Sequence, residues 1–425
     1  MSEEVQSPGP DRVSDDDVWR YTKLIFGASA LIFLVTITLG FLNVFTAGGL
    51  PRWQLLVHLH SATLGWMTLS VFGATVWLFT GQRAVSNAYV SRVQWLARVM
   101  VLAFVGLIAS FGIAFSEGGD AFYLLAVFAP LAAVTIWVTA VFFLHQLTHL
   151  SEVTTAHLLT AAGFLVLALA VVFGNVMALG RAGILSSPDF AGSAHVFGIM
   201  GYQVLVTTGI IEWLVVRERG GWTRTGALQV GLGVLLGIWV PLLVLLSVAG
   251  LPEGPLPMLL LLGILVLSVL FGLIFLGRAG VKALRTNPFT AGVEAWILFA
   301  TLWFVVGVLS FPLRFALGDP AWWMVANAHV TMVGIVTNMI FGVMAARTQF
   351  VRAGYAWVQP AAMWLTNVGI VVFVGLFIAT GSAHGALVMG TGVLLGVGWT
   401  LYSLRETSAE TDTATKADVE TTDRG

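Results

Sequence analysis

The sequence predicts an all-α polytopic membrane protein with twelve transmembrane helices and both termini cytoplasmic. Three observations carry that expectation: composition, the recurrence of long apolar stretches, and the placement of basic residues. Of 425 residues, 58% are hydrophobic and only 10% are charged, against roughly 25% charged in an ordinary soluble protein. So few charges cannot cover a water-facing surface, which excludes a soluble enzyme, a nucleic-acid binder and a disordered chain. The net charge of -1 conceals an uneven spread. Twelve of the 21 acidic residues lie in 1–19 and 406–425, leaving nine for the long stretch between. Cysteine is absent, so disulfides, thiolate metal sites, iron–sulfur clusters and thiol catalysis are excluded.

A membrane helix needs about 20 mostly apolar residues. Such stretches fall at 24–46, 54–80, 98–116, 121–147, 155–180, 192–216, 227–250, 256–277, 290–313, 322–346, 355–379 and 384–404. Turn residues separate them at 47–49, 117–120, 251–255 and 318–320. With the N-terminus inside, 17 of the 20 basic residues fall in cytoplasmic segments; Arg52, Arg181 and Arg314 alone lie outside. Cytoplasmic loops are the ones enriched in Lys and Arg, and a wrong span count would scramble the sides beyond the error. The opening residues 1–23 lack the basic and short apolar regions of a signal peptide and read as an acidic cytoplasmic tail. Residues 24–404 form one membrane domain, and 405–425, rich in Thr and acids, read as a disordered tail.

Ionisable groups inside a membrane are costly and point to function. Glu212 lies near the inner end of span 6, close in sequence to Arg217 and Arg219, and Glu294 at the inner start of span 9. No carboxylate sits at mid-depth, which argues against a transporter coupled to protons or sodium through buried acids. Histidine remains. His58 and His60 fall early in span 2, His195 in span 6, His329 in span 10 and His384 at the start of span 12, all in the outer part of the membrane. His145, His149 and His157 form a separate group at the cytoplasmic interface. An unpaired polar group in lipid costs several kcal/mol, so imidazoles at one depth suggest a shared partner. Neutral imidazole ligates haem iron, copper or zinc, and without cysteine a bis-histidine haem is the natural redox reading.

The most specific motif is His58-Leu59-His60-Ser61-Ala62-Thr63-Leu64-Gly65-Trp66. Histidines two apart on a helix point about 200° away from each other, so one helix can serve two partners. Span 10 repeats part of the pattern: His60 and His329 are each followed by glycine at +5 and +13 (Gly65 and Gly73, Gly334 and Gly342), with Asn327 where span 2 has His58.

This segment resembles the His-x-His-Ser-x-x-Leu-Gly-Trp segment of the haem–copper oxidase catalytic subunit, especially the class with b-type haems, to which the nitric oxide reductases are related. The resemblance implies that subunit's twelve-helix bundle and at least one haem b, held between span 2 and span 10 by His60 (or His58) and His329. It also implies His195 as a ligand of a second metal. Propionates require cations, and Arg52 is the candidate on the outer side, where the alternative role is interfacial anchoring beside Trp53. Two departures are plain. The family's His-x-His lies on helix 10, not helix 2. Its copper uses an adjacent histidine pair from helix 7, and residues 227–250 contain no histidine, so the copper ligand set is incomplete. The expected function is electron transfer in a respiratory or nitric-oxide-handling chain, with reduction of oxygen or nitric oxide if a second, open metal exists. The donor would be cytochrome c, a cupredoxin or quinol, small accessory subunits are further expected partners, and the location is the cytoplasmic membrane. The rival readings are a copper-only gas-binding protein and a cofactor-free twelve-helix transporter or sensor whose histidines are packing residues.

Overall fold

The computed structural model describes residues 12–13, 15–80, 85–187, 190–218, 221–248, 256–287, 292–316, 322–348 and 357–422. The expected turns at 251–255 and 318–320 lie outside them. The helices are α1 (Asp15–Phe45), α2 (Arg52–Thr80), α3 (Asn87–Glu117), α4 (Gly119–Leu147, opening on a 3-10 turn), α5 (Thr155–Arg181), α6 (Phe190–Val215), α7 (Arg224–Val248), α8 (256–284), α9 (Val293–Ala316), α10 (322–348), α11 (Val358–Thr380) and α12 (Gly385–Thr422). Two short strands, β1 (Arg12–Val13) and β2 (Val85–Ser86), pair antiparallel and tie the N-terminal segment to the connection after α2.

Among the described residues, ten helices are long and apolar enough to cross a membrane. The protein is therefore an all-α, multi-pass membrane protein. The remaining two, α7 and α9, are 25 and 24 residues long. Two turns expected from sequence are present: Ala47 and Gly48 end α1 at φ 51° and 82°, and Gly118 and Gly119 join α3 to α4 at φ 71° and 55°. Glycine suits these turns because positive φ carries no Cβ penalty there. α12 continues to Thr422, where composition alone suggests a disordered tail from residue 405.

Each helix packs against the next in sequence, and α12 returns to α1, closing a ring. Inside that ring α2, α6 and α10 pack on one another. Their apolar windows are 89%, 61% and 83% buried, against 33–50% for the seven other spans. The three central helices are thus the three that carry His58 and His60, His195, and His329. They meet through Trp66, whose indole N–H donates to Thr337 Oγ1 at 3.0 Å, and through Gln203, whose Nε2 donates to Met332 Sδ at 2.9 Å.

Both α2 and α10 change winding immediately after a histidine. Ser61–Thr68 follows His60 as a π-helical turn, and Val330–Thr337 follows His329 in the same way. Thr68 Oγ1 donates to Thr63 O and Thr337 Oγ1 to Met332 O, each at 2.8 Å and each five residues back. The glycines at +5 explain the close neighbours: a Cβ at Gly65 would run into Ile32 of α1, and one at Gly334 into Trp303 of α9. The pair α1–α2 is therefore built like the pair α9–α10, as the shared glycine spacing predicts. π-turns of this kind concentrate at functional sites.

Candidate functional site

The histidines near the ends of the three central helices share one hydrogen-bonding arrangement. His58 Nδ1 bonds Thr36 O of α1 at 2.9 Å, and His60 Nδ1 bonds Leu56 O at 2.8 Å. His195 Nδ1 bonds Ala170 O of α5 at 3.0 Å, and His329 Nδ1 bonds Val325 O at 2.8 Å. A carbonyl oxygen only accepts, so Nδ1 must carry the proton in all four rings. That leaves every Nε2 with its lone pair, and none of the four has a hydrogen-bond partner among the described residues. A backbone carbonyl on Nδ1–H is the usual device for presenting Nε2 to a metal. All four rings are half-buried, so open space adjoins each one.

The walls differ on the two sides of α2. His58 faces α1, where a Cβ on Gly40 would come within 3.3 Å of its Cε1, and it lies within electrostatic reach of His329. The His329 ring packs at 4.6 Å on Phe373 of α11. His60 faces the other way and stacks at 3.8 Å on Phe111 of α3; its electrostatic neighbour is His195. His195 sits against α5, where a Cβ on Gly174 would come within 2.9 Å of its Cε1. The 200° divergence of residues 58 and 60 is thus realised as two separate surroundings.

The contacts joining α2 to α10 run mainly through 61–80 and 330–348. At the histidine level, 52–60 packs instead on α1 and α3, and 322–329 on α9 and α11. The central helices therefore splay above a floor made by Trp66, Gln203, Met332 and Thr337. Asn327, at the position equivalent to His58, is buried and accepts from Ser310 of α9 at 3.3 Å. It is packing, not an unfilled ligand position.

The donor set decides what could bind. A bare zinc or copper ion takes three or four protein donors, and among the described residues no group of three His, Cys, Asp or Glu side chains gathers in this way. A haem brings four nitrogens of its own and takes two axial imidazoles. Glycine cradles behind His58 and His195, splayed helices and unpartnered Nε2 atoms fit that group.

The other sequence candidates lie elsewhere. His384 is exposed and bonded to Ser382 Oγ at 2.6 Å. His145 and His149 are exposed, with their Nε2 atoms 3.1 Å apart. They line a pocket of about 290 Å³ with Arg92 and Tyr89. His157 is buried and used on both sides: Nδ1 accepts from Thr154 N, and Nε2 donates to Leu78 O at 3.2 Å. Its bonding is opposite to that of the four central histidines. His157→Ala should lower stability by about 1–3 kcal/mol through the orphaned partners without changing any cofactor spectrum, read by thermal melting and absorbance in detergent. Arg52 is exposed at the start of α2, its guanidinium 5.8 Å from the Phe115 ring centre. Glu294 is exposed, and the side chain of Arg314 lies outside the described residues. Glu212 pairs with Arg278 of α8 at 3.0 Å, while Arg217, close to it in sequence, donates Nε to Leu214 O. Sequence reasoning missed the shared Thr at +8 after His60 and His329, which was visible in the sequence and extends the repeat.

The chain matches no protein-family model and no curated protein.

Proposed function

We propose that this protein is a haem b-binding electron-transfer protein of the cytoplasmic membrane, with twelve spans and both ends inside, built on the plan of the haem–copper oxidase catalytic subunit. α7 and α9, at 25 and 24 residues, are long enough to be the remaining two spans, and the distribution of basic residues supports the orientation. The observation that carries the reading is the common presentation of four imidazoles, each with Nδ1–H on a carbonyl and Nε2 unpartnered. Of the two ligands left open on α2, His58 is the better partner of His329, since these two side chains are electrostatic neighbours.

Haem bound there would supply a reversible one-electron couple. The chain's own part is to fix the imidazoles in the ligating tautomer, to wall the ring with Phe373 and α1, and to keep water out with apolar side chains. His58 and His329 would both hold the haem iron, a two-imidazole donor set that supplies electron transfer rather than an open position for oxygen or nitric oxide. The sites lie at the outer ends of the helices, within reach of a soluble cytochrome c or cupredoxin, or of a membrane quinol.

Protein purified in detergent should show a Soret band and a sharp α-band in the reduced-minus-oxidised difference spectrum. A flat difference spectrum would overturn the haem reading in favour of a cofactor-free transporter or sensor. Copper found without haem would favour the gas-binding alternative.

A further inference from the structure

We infer that His60 and His195 form a second, separate bis-imidazole haem site on the opposite side of α2, with Arg52 and Arg181 as its propionate partners. The inference rests on the haem reading above and adds to it a second cofactor held by a different pair of helices.

Five observations converge on this side of α2. Both imidazoles have Nδ1–H committed to a carbonyl, His60 to Leu56 and His195 to Ala170, and both leave Nε2 unpartnered among the described residues. α2 and α6 pack together below the histidine level, so the two rings rise from a common floor and lie within electrostatic reach of each other. The residue behind His195 is Gly174, where any side chain would collide with the ring. The pair has no third His, Cys, Asp or Glu gathered with it among the described residues, which suits a porphyrin and starves a bare ion.

The fifth observation concerns charge. Phe111 stacks on His60 at 3.8 Å, Phe115 lies 6.2 Å further along α3, and the Arg52 guanidinium sits 5.8 Å over Phe115. This column of rings places a cation about 12 Å along the helix axis from His60, toward the outer surface. On the opposite wall, Arg181 ends α5 about 10 Å beyond Gly174. Two outer cations therefore stand on the side of the molecule that holds His60 and His195. A haem carries two propionates and binds most firmly where each meets a cation.

The full chain, expressed with sufficient haem and purified, is assayed for haem by the pyridine haemochrome and for protein by amino-acid analysis. Two haems per chain are expected. His60→Ala and His195→Ala should each retain one, as should His58→Ala and His329→Ala. His195→Gly with added imidazole should restore the second haem's six-coordinate spectrum, which separates a ligand role from a folding defect. Arg52→Gln should keep both haems while shifting the midpoint potential of the His60 haem alone. One haem in the wild type, lost only at His58 or His329, overturns this inference and leaves the first site standing. No haem at all overturns both.

Discussion

His329→Ala protein should lose the sharp low-spin signal of one six-coordinate haem entirely, and His58→Ala should lose the same signal. The expectation follows from how little else these rings do. His329 Nδ1 bonds the carbonyl of Val325 within its own helix turn, and the ring otherwise packs on Phe373. Removing it deletes one bond to a carbonyl in a helical turn, worth about 1 kcal/mol, so the fold should survive while the ligand is lost. His329→Met should keep six-coordination with a raised potential, because a thioether ligand favours the reduced iron. The comparison that decides the pairing is His60→Ala. If it abolishes the same signal as His329→Ala while His58→Ala does not, the partner of His329 is His60 and the two-sided arrangement about α2 is wrong.

The bundle was legible in the sequence because the bilayer imposes it. Length and apolarity follow from the thickness of the solvent, and they need no knowledge of neighbours. The repeat between α2 and α10 was legible for a similar reason: close helix packing requires glycine at Gly65 and Gly334, and glycine leaves a mark at fixed offsets. What packing decides was not legible. The π-turns after His60 and His329 lie where Ile32 and Trp303 approach those glycines, contacts that only the packed bundle makes. That residues 58 and 60 diverge was clear from helix geometry, but not that one would turn to α1 and the other to Phe111. The column from Arg52 through Phe115 to His60 joins residues of two helices and has no signature in either alone. The alternating tautomers, Nδ1–H in the central four and Nε2–H in His157, are set by which carbonyls lie nearby.

Arg278→Ala should be the most destabilising single change outside the histidine layer, by about 3 kcal/mol or more in a reversible melt. Arg278 sits in the π-helical turn Leu276–Gly280 of α8. Its guanidinium reaches Glu212 of α6 at 3.0 Å, Glu218 at 2.9 Å and Thr223 Oγ1 at 2.6 Å. Glu218 in turn accepts from the backbone N–H of Thr155 at 2.7 Å and holds the start of α5. One cation thus clamps α5, α6 and α8 at the end opposite the histidines. The cost of losing it comes chiefly from Glu212, whose side chain is only 2% exposed; breaking a buried pair strands the remaining charge and costs more than the intact pair contributes. Glu212→Gln in the Arg278→Ala background should therefore recover much of the loss, and Arg278→Lys should not, since an ammonium lacks the fork that holds two carboxylates. The clamp also sets a pH dependence. Burial raises the Glu218 carboxyl, but the hydrogen bonds from Arg278 and Thr155 together outweigh it and hold the group below its ordinary value of 4.5. Its contribution to stability is then complete above that value and fades as pH falls through the lower folded value. Glu218→Gln should flatten the acid limb of the melting profile and leave the neutral plateau lowered. An unchanged acid limb would show that Glu218 does not carry that dependence, and an Arg278→Ala melt within about 1 kcal/mol of wild type would show that Glu212 finds another partner when the guanidinium is gone.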